Sequence, residues 1–186
     1  MADDFPFPSK ESAYAEIKRD PCYAKLDEKD LPGIIDRAWE TGAAAALSLK
    51  DKMGNNDDFF GIAASCGLKV LRRAKDNVIG NTRYFSEYLS GKSEITLYTI
   101  SIRLWAAENK LSEEDAQNMI LAHEFFHFLE CTKIGRTSKQ VLVPMIKIGS
   151  FTLGKTGIGA LSEIGAHAFV RAYFGIPDTS AAEEGP

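Results

Sequence analysis

The chain has 186 residues, 45% hydrophobic and 26% charged, a composition that excludes a disordered or low-complexity protein and gives one domain enough length to bury a core. Its net charge of -4 and pI near 5.5 speak against a basic nucleic-acid surface, and no apolar run reaches the roughly 18–20 residues that span a bilayer. The start, Met1 to Phe5, lacks the pattern of a signal peptide, and Cys22, Cys66 and Cys131 match neither a zinc ribbon nor a disulfide framework; small buried or half-buried thiols in a reducing compartment, the cytoplasm, are the expectation.

In chain order, Ser9 can cap a short helix through Arg19, which ends where Asp20 precedes Pro21. A second helix opens at Asp30 with Pro32 in its first turn and runs to about Met53, where Gly54 stops it. Its small residues Gly42 to Ala46 let another element approach closely. Asn56 to Asp58 cap a third helix over Phe59 to Cys66. Leu68–Leu71, Thr82–Leu89 and Glu94–Ile100 alternate like strands, with turns at Gly80-Asn81 and Ser90-Gly91. Ser112 and Asp115 form a capping box for a helix running to about Cys131. An irregular stretch, Arg136 to Gly157, precedes a last helix from about Ile158 to Phe174, ended by Gly175 and Pro177. Trp39 and Trp105 read as core residues.

The chain shows no internal repeat and no dividing linker. The expected fold is one α+β domain over residues 1–186, a small antiparallel sheet packed with helices. Its helical N-terminal part covers about 9–66, the strands and motif-bearing helices about 67–175, and a tail 176–186.

His123 and His127 stand four apart on the capped helix, so both imidazoles project from one face. That separation suits a single Zn²⁺ held at about 2.0–2.1 Å from each nitrogen. Glu124 is offset by about 100° around the helix, beside the metal instead of on it, where it can act as the base for a zinc-bound water. A catalytic zinc needs a third protein ligand and an open position. The remaining histidine, His167, and Glu163 lie four apart on the last helix, and either could complete the set. Gly165 and Ala166 would let that helix approach the first closely.

The pair of motifs, His123-Glu-x-x-His127 and Glu163-x-x-Ala166-x-x-Phe169, resembles the ImmA/IrrE family of metallopeptidases over roughly residues 55–175. The resemblance implies a zincin-like active-site helix, with His123, His127 and Glu163 as ligands of one Zn²⁺ and Glu124 as the catalytic base. His167 is left as a supporting group, a carbonyl-polarising group or the third ligand itself. Val170 stands where the family helix has a second alanine, which leaves the ligands intact and the substrate open. The implied activity is zinc-dependent endopeptidase action on an intracellular protein or peptide, such as a transcriptional repressor. Neither direct nucleic-acid binding nor a membrane is expected. The alternative is a zinc-holding regulatory or scaffold protein that binds a partner in the same cleft without turnover.

Gly149 to Thr156 matches the phosphate-loop pattern G-x-x-x-x-G-K-[ST] in full. A nucleotide fold needs further strands after that loop, and only 30 residues remain, with Pro144 interrupting the strand before it. The expectation is a connector or a lid over the zinc site. Glu94–Ile100 is the candidate edge strand for an extended substrate. Tyr84, Tyr88 and Tyr98 are candidates for stabilising an oxyanion.

Overall fold

A computed structural model describes residues 6–149 and 151–176; the tail expected from Asp178 lies outside the described residues. Helix α1 (Ala13–Lys18) starts later than a Ser9 cap implies, because residues 9–13 close as turns, with the Ser12 N–H on the Ser9 carbonyl at 3.0 Å. Helix α2 (Leu31–Met53) carries Pro32 in its first turn and ends on Gly54 at φ 62°, a left-handed conformation that glycine adopts without penalty. Asp58 caps α3 (Phe59–Ser65) by accepting the Phe60 N–H at 3.0 Å.

The sheet corrects one expectation: it is mixed, not wholly antiparallel. Strand β1 (Lys69–Arg73) runs parallel to β5 (Glu94–Tyr98), and β4 (Ser86–Leu89) lies antiparallel on the other side of β5. Between them β2 (Asn77–Ile79) and β3 (Thr82–Tyr84) form a separate hairpin, so the run 82–89 breaks at Phe85. The returning chain enters β5 from the end where β1 began, which makes the pair parallel. Ile95 to Tyr98 are all buried, as befits a strand covered on both faces. β5 is therefore the central strand, and β1 and β4 are the edges.

Helix α4 (Thr99–Glu108) leads to α5 (Glu113–Leu129), whose Ser112 cap accepts the Asp115 N–H at 3.0 Å. α5 then widens into a π turn over Glu130–Ile134. The stretch expected to be irregular contains a hairpin, β6 (Leu142–Ile148) with β7 (Phe151–Gly157). Pro144 is tolerated because a two-stranded ribbon has open edges; its carbonyl faces outward to accept Lys25 Nζ at 2.8 Å. The phosphate-loop pattern falls in this hairpin, where residues 151–157 are committed to pairing with β6 and form no loop for a phosphate.

The last helix, α6 (Ala160–Tyr173), is clasped between α2 and α5. A Cβ on Gly42 would run into the Gly165 carbonyl, and one on Gly165 would lie 2.8–2.9 Å from the Phe126 ring. Glycine at these two positions sets the distance between the three helices. One buried cluster, around Phe59, Phe125, Phe126 and Phe169, joins α3, the sheet, α5 and α6. A second, around Ile17, Ile35, Trp39 and Ile164, joins α1, α2 and α6. Among the described residues no helix is long and apolar enough to cross a membrane.

Candidate metal centre

The back of α5 is packed shut: Leu121, Ala122, Phe125 and Phe126 are fully buried. That fixes the rotation of the helix and turns His123 and His127 toward the cleft. Their Nε2 atoms lie 3.3 Å apart. Because Gly165 lets α6 cross close to Phe126, the Glu163 carboxylate reaches both rings, at 3.2 Å from His123 Nε2 and 3.5 Å from His127 Nε2. Ligand atoms at 2.0–2.1 Å from a tetrahedral zinc lie about 3.3–3.4 Å from one another. The Nε2–Nε2 and His123 Nε2–Glu163 Oε2 separations of 3.3 and 3.2 Å are of that size, and the 3.5 Å to His127 Nε2 runs from the other carboxylate oxygen, Oε1.

His167 lies on the same helix with its ring centroid 5.3 Å from that of His123. Donor atoms of His123, Glu163 and His167 fall within 4.8 Å of one another, a group that could also hold a metal ion. The two sets share His123 and Glu163. His127 Nε2 lies 3.3 Å from His123 Nε2 and 3.5 Å from Glu163 Oε1, beside that group.

Two supporting groups, the Glu130 carboxylate and the Ser86 hydroxyl, were not singled out from the sequence. Glu130, 4% exposed, accepts from the Thr137 N–H at 2.7 Å and from the Ser162 hydroxyl, and meets His127 Nδ1 at 3.0 Å. A carboxylate on Nδ1 fixes the tautomer whose Nε2 lone pair is free for a metal. Ser86, at the start of β4, donates its hydroxyl to Glu124 Oε1 at 2.7 Å. Glu124 is itself buried, at 8% exposure. His123 Nδ1 is buried without a hydrogen-bond partner among the described residues.

The electrostatics follow from three carboxylates around three imidazoles. Burial pushes His127 down, but the hydrogen bond to Glu130 and the charges of Glu163, Glu124 and Glu130 outweigh it and lift the ring to about 9. Burial pushes Glu163 up, yet the His123 hydrogen bond and the charges of His123, His127 and His167 hold it at about 2. Glu130 is likewise raised by burial and lowered further by His127, Ser162 and Thr137. Burial and then the charge of His123 depress His167 to about 3, which keeps it neutral. A cation held by this cluster would supply the positive charge that it otherwise takes from a proton.

Two cavities meet at these residues, and both are lined by Tyr84, Ser86, His123, Glu124 and Glu163. Among the described residues of the β6–β7 hairpin, none lines either cavity. Tyr98 is committed to Glu87, which accepts its hydroxyl at 2.9 Å. Tyr84 borders both cavities and Tyr88 one. Trp39 is core as expected, whereas Trp105 is half-buried and lines the cleft. Cys22 and Cys66 are half-buried and Cys131 is exposed, all three as free thiols. Comparison with protein-family models, curated proteins and solved structures finds no match to the chain.

Proposed function

We propose that the chain is a zinc-dependent peptidase, similar to the ImmA/IrrE family, that holds one Zn²⁺ through His123, His127 and Glu163 and cuts an intracellular protein or peptide. The observation that carries this reading is the convergence of His123 Nε2 and His127 Nε2, 3.3 Å apart, on the Glu163 carboxylate, whose Oε2 lies 3.2 Å from the first and whose Oε1 lies 3.5 Å from the second, with the Glu124 carboxylate beside them. Zinc bound there supplies Lewis-acid activation of water and of the scissile carbonyl.

The chain's own residues do the rest. Glu124 takes a proton from the attacking water on one carboxylate oxygen and passes it to the departing amine. Its other oxygen is occupied by Ser86, which fixes the plane of the carboxylate. Glu130 keeps the His127 Nδ1 proton engaged, so that Nε2 stays free for the metal. The open edge of β4, whose Ser86, Glu87 and Tyr88 line one cavity, offers main-chain groups to an extended substrate. β5 cannot play that part, being paired on both sides.

The test is metal analysis followed by digestion of a mixed peptide library, comparing wild type with Glu124→Gln. The expected result is about one zinc per chain in both proteins and cleavage by the wild type alone. Absence of bound transition metal after zinc is supplied overturns the reading. Full zinc occupancy with no cleavage of any peptide, or of any protein captured by Glu124→Gln, would favour a zinc-holding scaffold instead.

A further inference from the structure

The two cavities that meet at the metal position differ in chemistry. The larger, about 830 Å³, has a mixed lining in which Asn77, Thr82, Glu87 and Ser162 alternate with Ile79 and Tyr88. The smaller, about 430 Å³, is walled on the His167 side by Phe7, Phe85, Trp105 and Ile120. Phe85 and Trp105 are only half-buried, with ring centroids 5.6 Å apart, so aromatic surface is left facing the cleft. Phe7 packs edge-on against Trp105 at 5.6 Å and lies 6.2 Å from both His123 and His167. Its carbonyl accepts Nη1 of the buried Arg171 at 3.0 Å. An arginine buried in α6 thus pins residues 6–8 across the smaller cavity as its roof.

From this asymmetry we infer that the smaller cavity is the subsite for a large apolar or aromatic side chain next to the scissile bond, with Phe7 as part of its wall. The inference rests on the peptidase reading and deepens it by naming the substrate class. Aromatic and aliphatic walls beside a few convergent polar groups are what a side-chain pocket requires. The Phe7 ring against Trp105 shows that these walls accept an aromatic ring edge-on. The larger cavity, of mixed lining and beside the open edge of β4, takes the substrate's main chain and its other residues. Turnover therefore selects for phenylalanine, leucine or a similar residue on one side of the cut and is permissive on the other.

Two measurements test this. In the first, the zinc-loaded full chain digests a random peptide library, and the residues flanking each cut are read by mass spectrometry. The expected result is an enrichment of Phe or Leu over Ala of about 10- to 100-fold at a single flanking position. That ratio should shrink several-fold in Phe85→Ala, and in Phe7→Ala as a second variant should Phe85→Ala misfold. In the second, the zinc-free chain is titrated with N-acetylphenylalaninamide and with N-acetylalaninamide while tryptophan fluorescence is followed. Trp39 lies in the other buried cluster, so Trp105 is the reporter. Saturable change with the phenylalanine compound alone is expected. Cleavage without apolar preference overturns the subsite and leaves the peptidase reading standing. Fluorescence saturation without cleavage does the reverse. A uniform gain of activity in Phe7→Ala on all peptides would make the segment a plug and overturn its role as a wall.

Discussion

Replacing Glu130 by glutamine keeps the side chain's shape and removes its charge from behind His127. Oε1 of the carboxylate accepts the Thr137 N–H, while Oε2 faces both His127 Nδ1 and the Ser162 hydroxyl. An amide has one acceptor oxygen and one donor nitrogen, so it cannot serve both sides. With the nitrogen toward Thr137, a buried backbone N–H loses its acceptor, at about 1–3 kcal/mol. With the nitrogen toward His127, the ring must accept at Nδ1 and carry its proton on Nε2, the atom the metal needs. Either arrangement weakens the site. The expected loss in zinc affinity is about 10–100-fold, the range for carboxylates behind ligating histidines, which corresponds to roughly 1.4–2.7 kcal/mol. Competition with a chromophoric chelator at neutral pH measures it, and thermal unfolding of the zinc-free proteins detects the alternative route through Thr137. A variant with affinity within twofold of wild type and an unchanged Tm would refute the role given to Glu130.

Further expectations concern the ligands, the helix contact and the protons. Glu163→Ala should lose zinc and turnover together, whereas His167→Ala should keep zinc and lose activity by about 10–100-fold; elemental analysis giving the opposite order would move the ion to the His123–Glu163–His167 set. Gly42→Ala drives a methyl into the Gly165 backbone, which cannot yield as a side chain can. The overpacking should cost about 1–3 kcal/mol and, at about 2–4 °C per kcal/mol for a chain of this size, lower Tm by roughly 2–12 °C; an unchanged melting curve would show that α2 and α6 part easily. Since His127 titrates at about 9 in the zinc-free site, zinc must displace its proton at neutral pH. Affinity should climb with pH and level off above about 9, and calorimetry in two buffers should find about one proton released per zinc. A Kd independent of pH between 7 and 9 would contradict that.

What could be read from the sequence was local. Gly54 after α2, Asp58 before α3 and Ser112 before α5 act within a few residues of themselves, and each was legible. Strand partners were not. Whether residues 69–73 pair with 82–89 or with 94–98 depends on where the intervening chain goes, and strand alternation carries no record of that. The hairpin of 142–157 was hidden by Pro144, whose weight as a strand breaker holds for a sheet interior and lapses on an edge. Gly42 and Gly165 were recognisable as small residues; that they meet each other, 123 positions apart, was not.

The site divides along the same line. His123, Glu124 and His127 are fixed to each other by one turn of helix, so their spacing alone discloses their geometry. Glu163 came from a second spacing on a second helix, and its closeness to both rings depends on Gly165 at the crossing. Glu130 stood in view, three residues after His127 and on the same face. Yet a glutamate at a helix end is ordinarily a solvated side chain. What converts it into a buried acceptor is the pair of donors from Thr137 and Ser162, one beyond the π turn and one on α6. Ser86 is further removed still, 38 residues from the Glu124 it holds. The residues that would grip an ion are thus a property of two short helical segments, while the residues that set their protonation are supplied by the way the whole chain closes around them. A sequence can carry the first kind of information in a motif, but the second kind exists only after the fold has brought the donors together.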